Sequence, residues 1–109
     1  MKKIICVDNQ KDLVKILSLT NKQVIIIACL LIDNLGIILL KETIQHYNKN
    51  NHTILLNVEN SFPYLIFAIE NSFKFIITTF KNANIDNYKE LANNHGCKIF
   101  NFTENIFKY

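Results

Sequence analysis

Short apolar runs alternate with segments of helical period along the chain. "KIICV" (3–7) is apolar and rich in β-branched residues, and predicts a first strand. "NQKDLVKILSL" (9–19) places Leu13, Ile16 and Leu17 on one helical face, with Asn9 where an N-cap is wanted. "QVIIIAC" (23–29) is continuously apolar, the mark of a strand covered on both faces. "IDNLGIILLKETIQHYNK" (32–49) predicts a second helix, capped by Asp33 or Asn34, with Leu35, Ile38, Leu39, Ile44 and Tyr47 spaced for burial. "TILLNV" (53–58) is a third strand. The helix that follows is the most sharply patterned: Phe62, Leu65, Ile66, Ile69 and Phe73 form one apolar stripe. Ser61 is its cap, and Pro63 sits in the first turn, where a missing N–H costs nothing. "KFIITTF" (74–80) predicts a fourth strand. "NIDNYKELANNHG" (84–96) predicts a fourth helix with Ile85, Tyr88, Leu91 and Ala92 inward, and Gly96 ends it. "CKIFNF" (97–102) is a fifth strand, and "TENIFKY" (103–109) has room for one helical turn.

Strands alternating with helices imply an α/β fold built on a parallel sheet. The expectation is a single three-layer α/β/α sandwich over residues 1–109, with a five-stranded, mostly parallel sheet and helices on both faces. The flavodoxin-like strand order 2-1-3-4-5 is the commonest for so short a chain. The 109 residues suit one domain.

Composition narrows the function classes. Half the residues are hydrophobic and 19% are charged, below the usual ~25%, which points to apolar surface or a partner. The net charge is +3, and every basic residue is lysine. Isoleucine, asparagine and lysine dominate, the bias of an AT-rich genome, so the lysine excess says little about nucleic acid. The lysines are scattered, and no arginine supplies the bidentate fork that reads guanine or phosphate. Nucleic acid is therefore not an expected partner. Cys6, Cys29 and Cys97 are odd in number and form no CxxC, so a disulfide framework is not expected and a reducing cytoplasm is. "MKKIICVDNQ" turns polar too early for a signal peptide. "VIIIACLLIDNLGIILL" (24–40) falls short of the about 20 apolar residues of a membrane span. Asp33 and Asn34 also interrupt it, so a buried strand running into a buried helix is expected and a membrane is not.

In a doubly wound sheet, ligands bind beyond the carboxyl ends of the strands, where the strand order reverses. With order 2-1-3-4-5 this point lies between strands one and three, and "VDNQ" (7–10) would stand beside "NVENSFPY" (57–64). The candidate ligand site is then Asp8, Asn9, Asn57, Glu59, Asn60 and Ser61, joined by Thr78, Thr79 and Lys81 from the fourth strand. Asp8 and Glu59 have the chemistry to share Mg²⁺ or to act as an acid–base pair. The same residue types also serve as helix caps and turn formers. Two glycines cannot make a GxGxxG or Walker A loop, which excludes the glycine-rich nucleotide sites. No cofactor and no catalytic residue is expected.

The layout resembles the receiver domains of response regulators. "IICVDNQ" is similar to the strand that ends there in an acidic pair, and "FIITTF" to the strand ending in a hydroxyl residue, matching Thr78 or Thr79. The resemblance implies a site at these strand ends. The chain departs from the pattern where it matters: Asn57 stands for the phosphoryl-accepting aspartate, Asn9 replaces an acid, and the fifth strand lacks the expected lysine. A degenerate, receiver-like ligand or Mg²⁺ site is what remains.

His46, His52 and His95 have no spaced partner for zinc, and are expected as solvated or helix-end residues. Cys6 and Cys29 are expected as core thiols, and Cys97, after Gly96, as the most exposed. Phe67 falls opposite the apolar stripe of its helix. Phe100 and Phe102 share one strand face, and Phe107 and Tyr109 extend the apolar pattern into the tail. These five aromatics are the candidate interface for a homodimer or protein partner. The favoured function is a non-enzymatic regulatory or protein-interaction and assembly module. The alternative is the small-ligand or Mg²⁺ site at the ends of strands one, three and four.

Overall fold

The computed structural model of the chain describes residues 4–80 and 85–101. In chain order the elements are β1 (Ile4–Val7), α1 (Gln10–Leu17), β2 (Val24–Ile27), α2 (Leu30–Leu35), α3 (Ile37–Tyr47), β3 (Thr53–Glu59), α4 (Phe62–Glu70), β4 (Phe75–Thr78), α5 (Ile85–Asn94) and β5 (Lys98–Asn101). The local signals explain most of these boundaries. Asn9 caps α1 by accepting from the Asp12 backbone N–H at 2.9 Å, and Ser61 caps α4 by accepting from Tyr64 N at 3.2 Å, with Pro63 in the first turn. Gly96 takes φ +72° after α5.

The helix expected over 32–49 is two helices. Gly36, at φ +78°, donates its N–H to Ile32 O and accepts from Leu40 N, closing α2 and opening α3. The break resets the helical phase: Leu40 and Thr43 are buried, while Ile38 (65% exposed) and Leu39 (47%) face outward, against expectation. The cap is not Asp33 or Asn34; α2 starts after Cys29, with no side-chain cap. Tyr47 and Leu91, also expected inside, are exposed.

All five strands are parallel and form one sheet, as expected of an α/β sandwich, but their order is 1-2-3-4-5 and not 2-1-3-4-5. Each crossover therefore steps to the next strand in the same direction. Crossovers of this kind are almost always right-handed, so every step delivers its helix to the same side of the sheet. Packing agrees. Val7, Ile25, Ile27, Leu56, Val58 and Ile76 share one hydrophobic cluster with Leu13 and Leu17 of α1, Leu31 of α2, Leu40 of α3, Leu65 and Ile69 of α4, and Ala92 of α5. Helices on the second face, the third layer of the expected sandwich, have no counterpart among the described helices. The receiver-like arrangement goes with it, since β1 no longer lies beside β3.

His52 is not a solvated residue. It is buried between two turns, where Nδ1 accepts from Gln23 N at 2.9 Å. Nε2 must then carry the proton, and it donates to Leu17 O (3.1 Å) and Leu19 O (2.9 Å). Asn48 grips the backbone of His52 from both sides, donating to its carbonyl and accepting from its N–H. One imidazole thus ties the α1–β2 turn to the α3–β3 turn. No described helix is long and apolar enough to cross a membrane.

Replacing His52 by alanine takes the partner from the Gln23 N–H and the Leu17 carbonyl, while Leu19 O keeps its bond from Asn50 Nδ2, and should cost about 3 kcal/mol in urea unfolding. Gly36→Ala meets no atom within 4 Å of its new Cβ, so only the backbone conformation, φ +78° and ψ +155°, is penalised. That region is nearly restricted to glycine, and the substitution should cost about 2 kcal/mol in the same titrations.

Candidate functional site

The sequential order has no point of reversal, so the crevice on which the expected site rested is not formed. Asp8 and Glu59 end strands separated by β2, two strand spacings or about 10 Å apart in the plane of the sheet. Asp8 accepts from Asn9 Nδ2 at 2.9 Å, and the same amide donates to Asp12 Oδ2 at 2.9 Å, so Asp8 and Asn9 belong to the exposed cap of α1. Ser61 is occupied as the cap of α4, and Asn60 lies in the exposed turn before it.

The structure does gather Asn57, Glu59, Thr78 and Thr79. Glu59 sits at φ +53°, an uncommon conformation for a side-chain-bearing residue, where the β3–β4 register slips between Asn57 and Glu59. Its N–H donates to Asn57 Oδ1 at 3.0 Å and its carbonyl accepts from Thr79 N at 2.8 Å. Asn57 and Thr78 are fully buried, and the Thr78 hydroxyl donates to Asn101 Oδ1 at 3.1 Å. These polar side chains hold the bulge and bridge the ends of β3, β4 and β5. Only Glu59 and Thr79 of the four are partly open to solvent.

A neighbour that sequence reasoning did not place here is Cys29, at the end of β2. Burial first, then the Glu59 carboxylate, by its charge and by a hydrogen bond from the thiol, and then the Asp33 charge push this thiol up to about 11. Such a cysteine is a hydrogen-bond donor to Glu59, not a nucleophile at neutral pH. The expected exposure of the cysteines is inverted. Cys97 is buried, with its thiol turned to the carbonyls of Ile69 and His95, whereas Cys6 and Cys29 are half-buried. Among the described residues no group of three or more His, Cys, Asp or Glu side chains is arranged to hold a metal ion. Lys81 lies outside the described residues.

A cleft of about 390 Å³ opens at the other end of the sheet, between the C-termini of α3 and α4, lined in part by Lys41, Asn48, His52, Phe73, Lys74 and Phe75. Asn48 and His52 are engaged in the turn described above, and Lys74 lies over the Phe75 ring at 5.4 Å. No sequence signal marked this place.

Of the candidate interface residues, Phe67 is 43% exposed on the outer side of α4, and Phe100 lies on the opposite side of the molecule, on the sheet face away from the helices. Phe102, Phe107 and Tyr109 lie outside the described residues. Neither a protein-family model, nor a curated protein, nor a solved structure matches the chain.

The Cys29–Glu59 pair has a readable consequence. In a Cys6→Ser background, iodoacetamide should modify Cys29 slowly at pH 9, and Glu59→Gln, which removes the charge, should bring the thiol down and speed the reaction several-fold at that pH. Equal rates in the two proteins would mean that Glu59 does not face the thiol.

Proposed function

We propose that the chain is a non-enzymatic protein-interaction module that assembles with a second copy of itself through the outer face of its sheet. The observation that carries this reading is the composition of that face. Register places Cys6, Ile26, Leu55, Phe75 and Lys98 in one row across all five strands, and Asn57, Ile77 and Phe100 in the next. Cys6, Ile26, Leu55, Phe75, Ile77 and Phe100 all stand apart from the cluster that holds the helices. An antiparallel sheet facing water would carry polar residues at alternate positions; here both phases of the strands are apolar. Phe75 and Phe100 pack ring to ring at 6.2 Å, and Lys98, whose ammonium lies 5.3 Å from the Phe100 ring, is the one charged side chain of the two rows.

Sheets pair face to face at about 10 Å through such surfaces. Five strands span about 19 Å and four residues about 13 Å, a footprint of about 250 Å². Stable interfaces bury about 800 Å² per partner, so the association is weak and reversible, as suits a regulatory or assembly role. The three free thiols fit a module of the reducing cytoplasm.

Sedimentation of the full chain over a range of concentrations tests the reading. The protein should self-associate in the upper micromolar range, Phe75→Lys should weaken the association at least tenfold, and Phe67→Asp, on the helical side, should leave it unchanged. A protein that stays monomeric throughout, or one that responds to Phe67→Asp and not to Phe75→Lys, sinks it.

A further inference from the structure

The cleft at the amino ends of β3 and β4 does not depend on the self-association reading. Its floor is the end of the core: Phe73 is buried in the hydrophobic cluster, and Ile44 and Ile54 pack against it. Its volume of about 390 Å³ lies in the range of small-molecule sites. Lys41 and Lys74 line it, and no aspartate or glutamate does. Neither lysine forms an ion pair with a described carboxylate. Lys41 is turned inward: burial raises the Cys97 thiol, and the Lys41 charge is near enough to pull it partly back.

The C-termini of α3 and α4 meet at this cleft, and each carries about half a negative charge. Their carbonyls are largely engaged. Phe67 O, Ala68 O and Ile69 O accept from the N–H groups of Asn71, Phe73 and Ser72, and Ile44 O accepts from Asn48 N. The uncommitted groups are side chains: Gln45, Asn51 and Ser72 line the cleft and make no side-chain hydrogen bond to a described residue. Ser72 is the most telling of them. α4 ends with Phe73 N–H on Ala68 O and Ser72 N–H on Ile69 O, and α5 ends the same way, with Cys97 N–H on Ala92 O and Gly96 N–H on Asn93 O. The left-handed position holds glycine after α5 (φ +72°) and serine after α4 (φ +58°). Glycine is the unstrained choice there, and the hydroxyl-bearing residue stands where the turn lines the cleft.

We infer that the cleft binds a phosphate monoester with an apolar body. Such a group carries about −1.5 to −2 at neutral pH, which matches two ammonium groups. Lysine binds phosphate as a point charge, and the chain has no arginine fork to do so. Gln45, Asn51 and Ser72 offer donors to the phosphate oxygens, and Ile44, Ile54 and Phe73 receive the apolar body.

Amide NMR shifts of the full chain, followed as phenyl phosphate is added at constant ionic strength, test this. The amides of Lys41, Gln45, Asn51, Ser72 and Lys74 should move along one saturating curve. Lys41→Gln and Lys74→Gln should each weaken binding about fivefold or more. Lys11→Gln, the same charge change in the exposed first turn of α1, should leave it unaltered. Ser72→Gly should raise the urea midpoint and yet weaken binding, which separates loss of the ligand from loss of the fold. Phenylacetate, with a single negative charge, should bind more weakly. No saturable shift at these residues overturns the proposal. So do equal effects of Lys11→Gln and Lys41→Gln, a Ser72→Gly protein that keeps full affinity, or phenylacetate binding as tightly as the phosphate.

Discussion

Every crossover in this chain steps one strand in the same direction, and the rest of the structure depends on that constraint. A right-handed connection between parallel neighbours delivers its helix to a fixed side. Five strands taken in sequence therefore collect α1 to α5 on one face. The helices bury one phase of each strand, Ile25 and Ile27 or Leu56 and Val58, at the centre of a single cluster. The opposite phase, Ile26, Leu55 and Ile77, is as apolar as the first, yet no described helix serves it. A sheet apolar on both sides, with the described helices all on one, is the central physical fact about this protein.

The same constraint empties the expected ligand site. A crevice at the carboxyl ends needs two adjacent strands whose connections leave in opposite directions. Here β2 intervenes between β1 and β3, and Cys29 occupies the ground between Asp8 and Glu59. The polar residues at this end turn to structural work. Asn57 and Thr78 secure the bulge and the strand ends, while Asn9 and Ser61 cap helices. At the amino end, His52 does comparable work, joining two turns that bring β2 and β3 into register.

Local structure was legible because local chemistry decides it. Asn9, Ser61, Pro63 and Gly96 mark helix ends through hydrogen bonds and dihedral angles spanning a few residues, and all four stand where the pattern put them. The five strands were legible from their β-branched runs. Phe67 was correctly placed outside the core by helical periodicity. Strand order was not legible, since continuous apolar runs such as "VIIIA" fit either a sheet clad in helices on both faces or one whose second face is closed by something else. The break at Gly36 was missed because an apolar run on either side of one glycine keeps an approximate helical period. The roles of His52 and Cys29 were missed because each depends on partners about thirty residues away, Gln23 and Leu17 for one and Glu59 for the other.

The central claim is that the two phases of the strands face different surroundings. A methyl NOESY spectrum of protein labelled at isoleucine and leucine tests this most directly. Ile25, Ile27, Leu56 and Ile76 should show contacts to Leu13, Leu40 and Leu65 of the helices, while Ile26, Leu55 and Ile77 should show contacts to one another across the strands and none to those helical residues. Contacts from Ile26 or Ile77 to Leu13 or Leu65 would place helices on both faces and contradict the account.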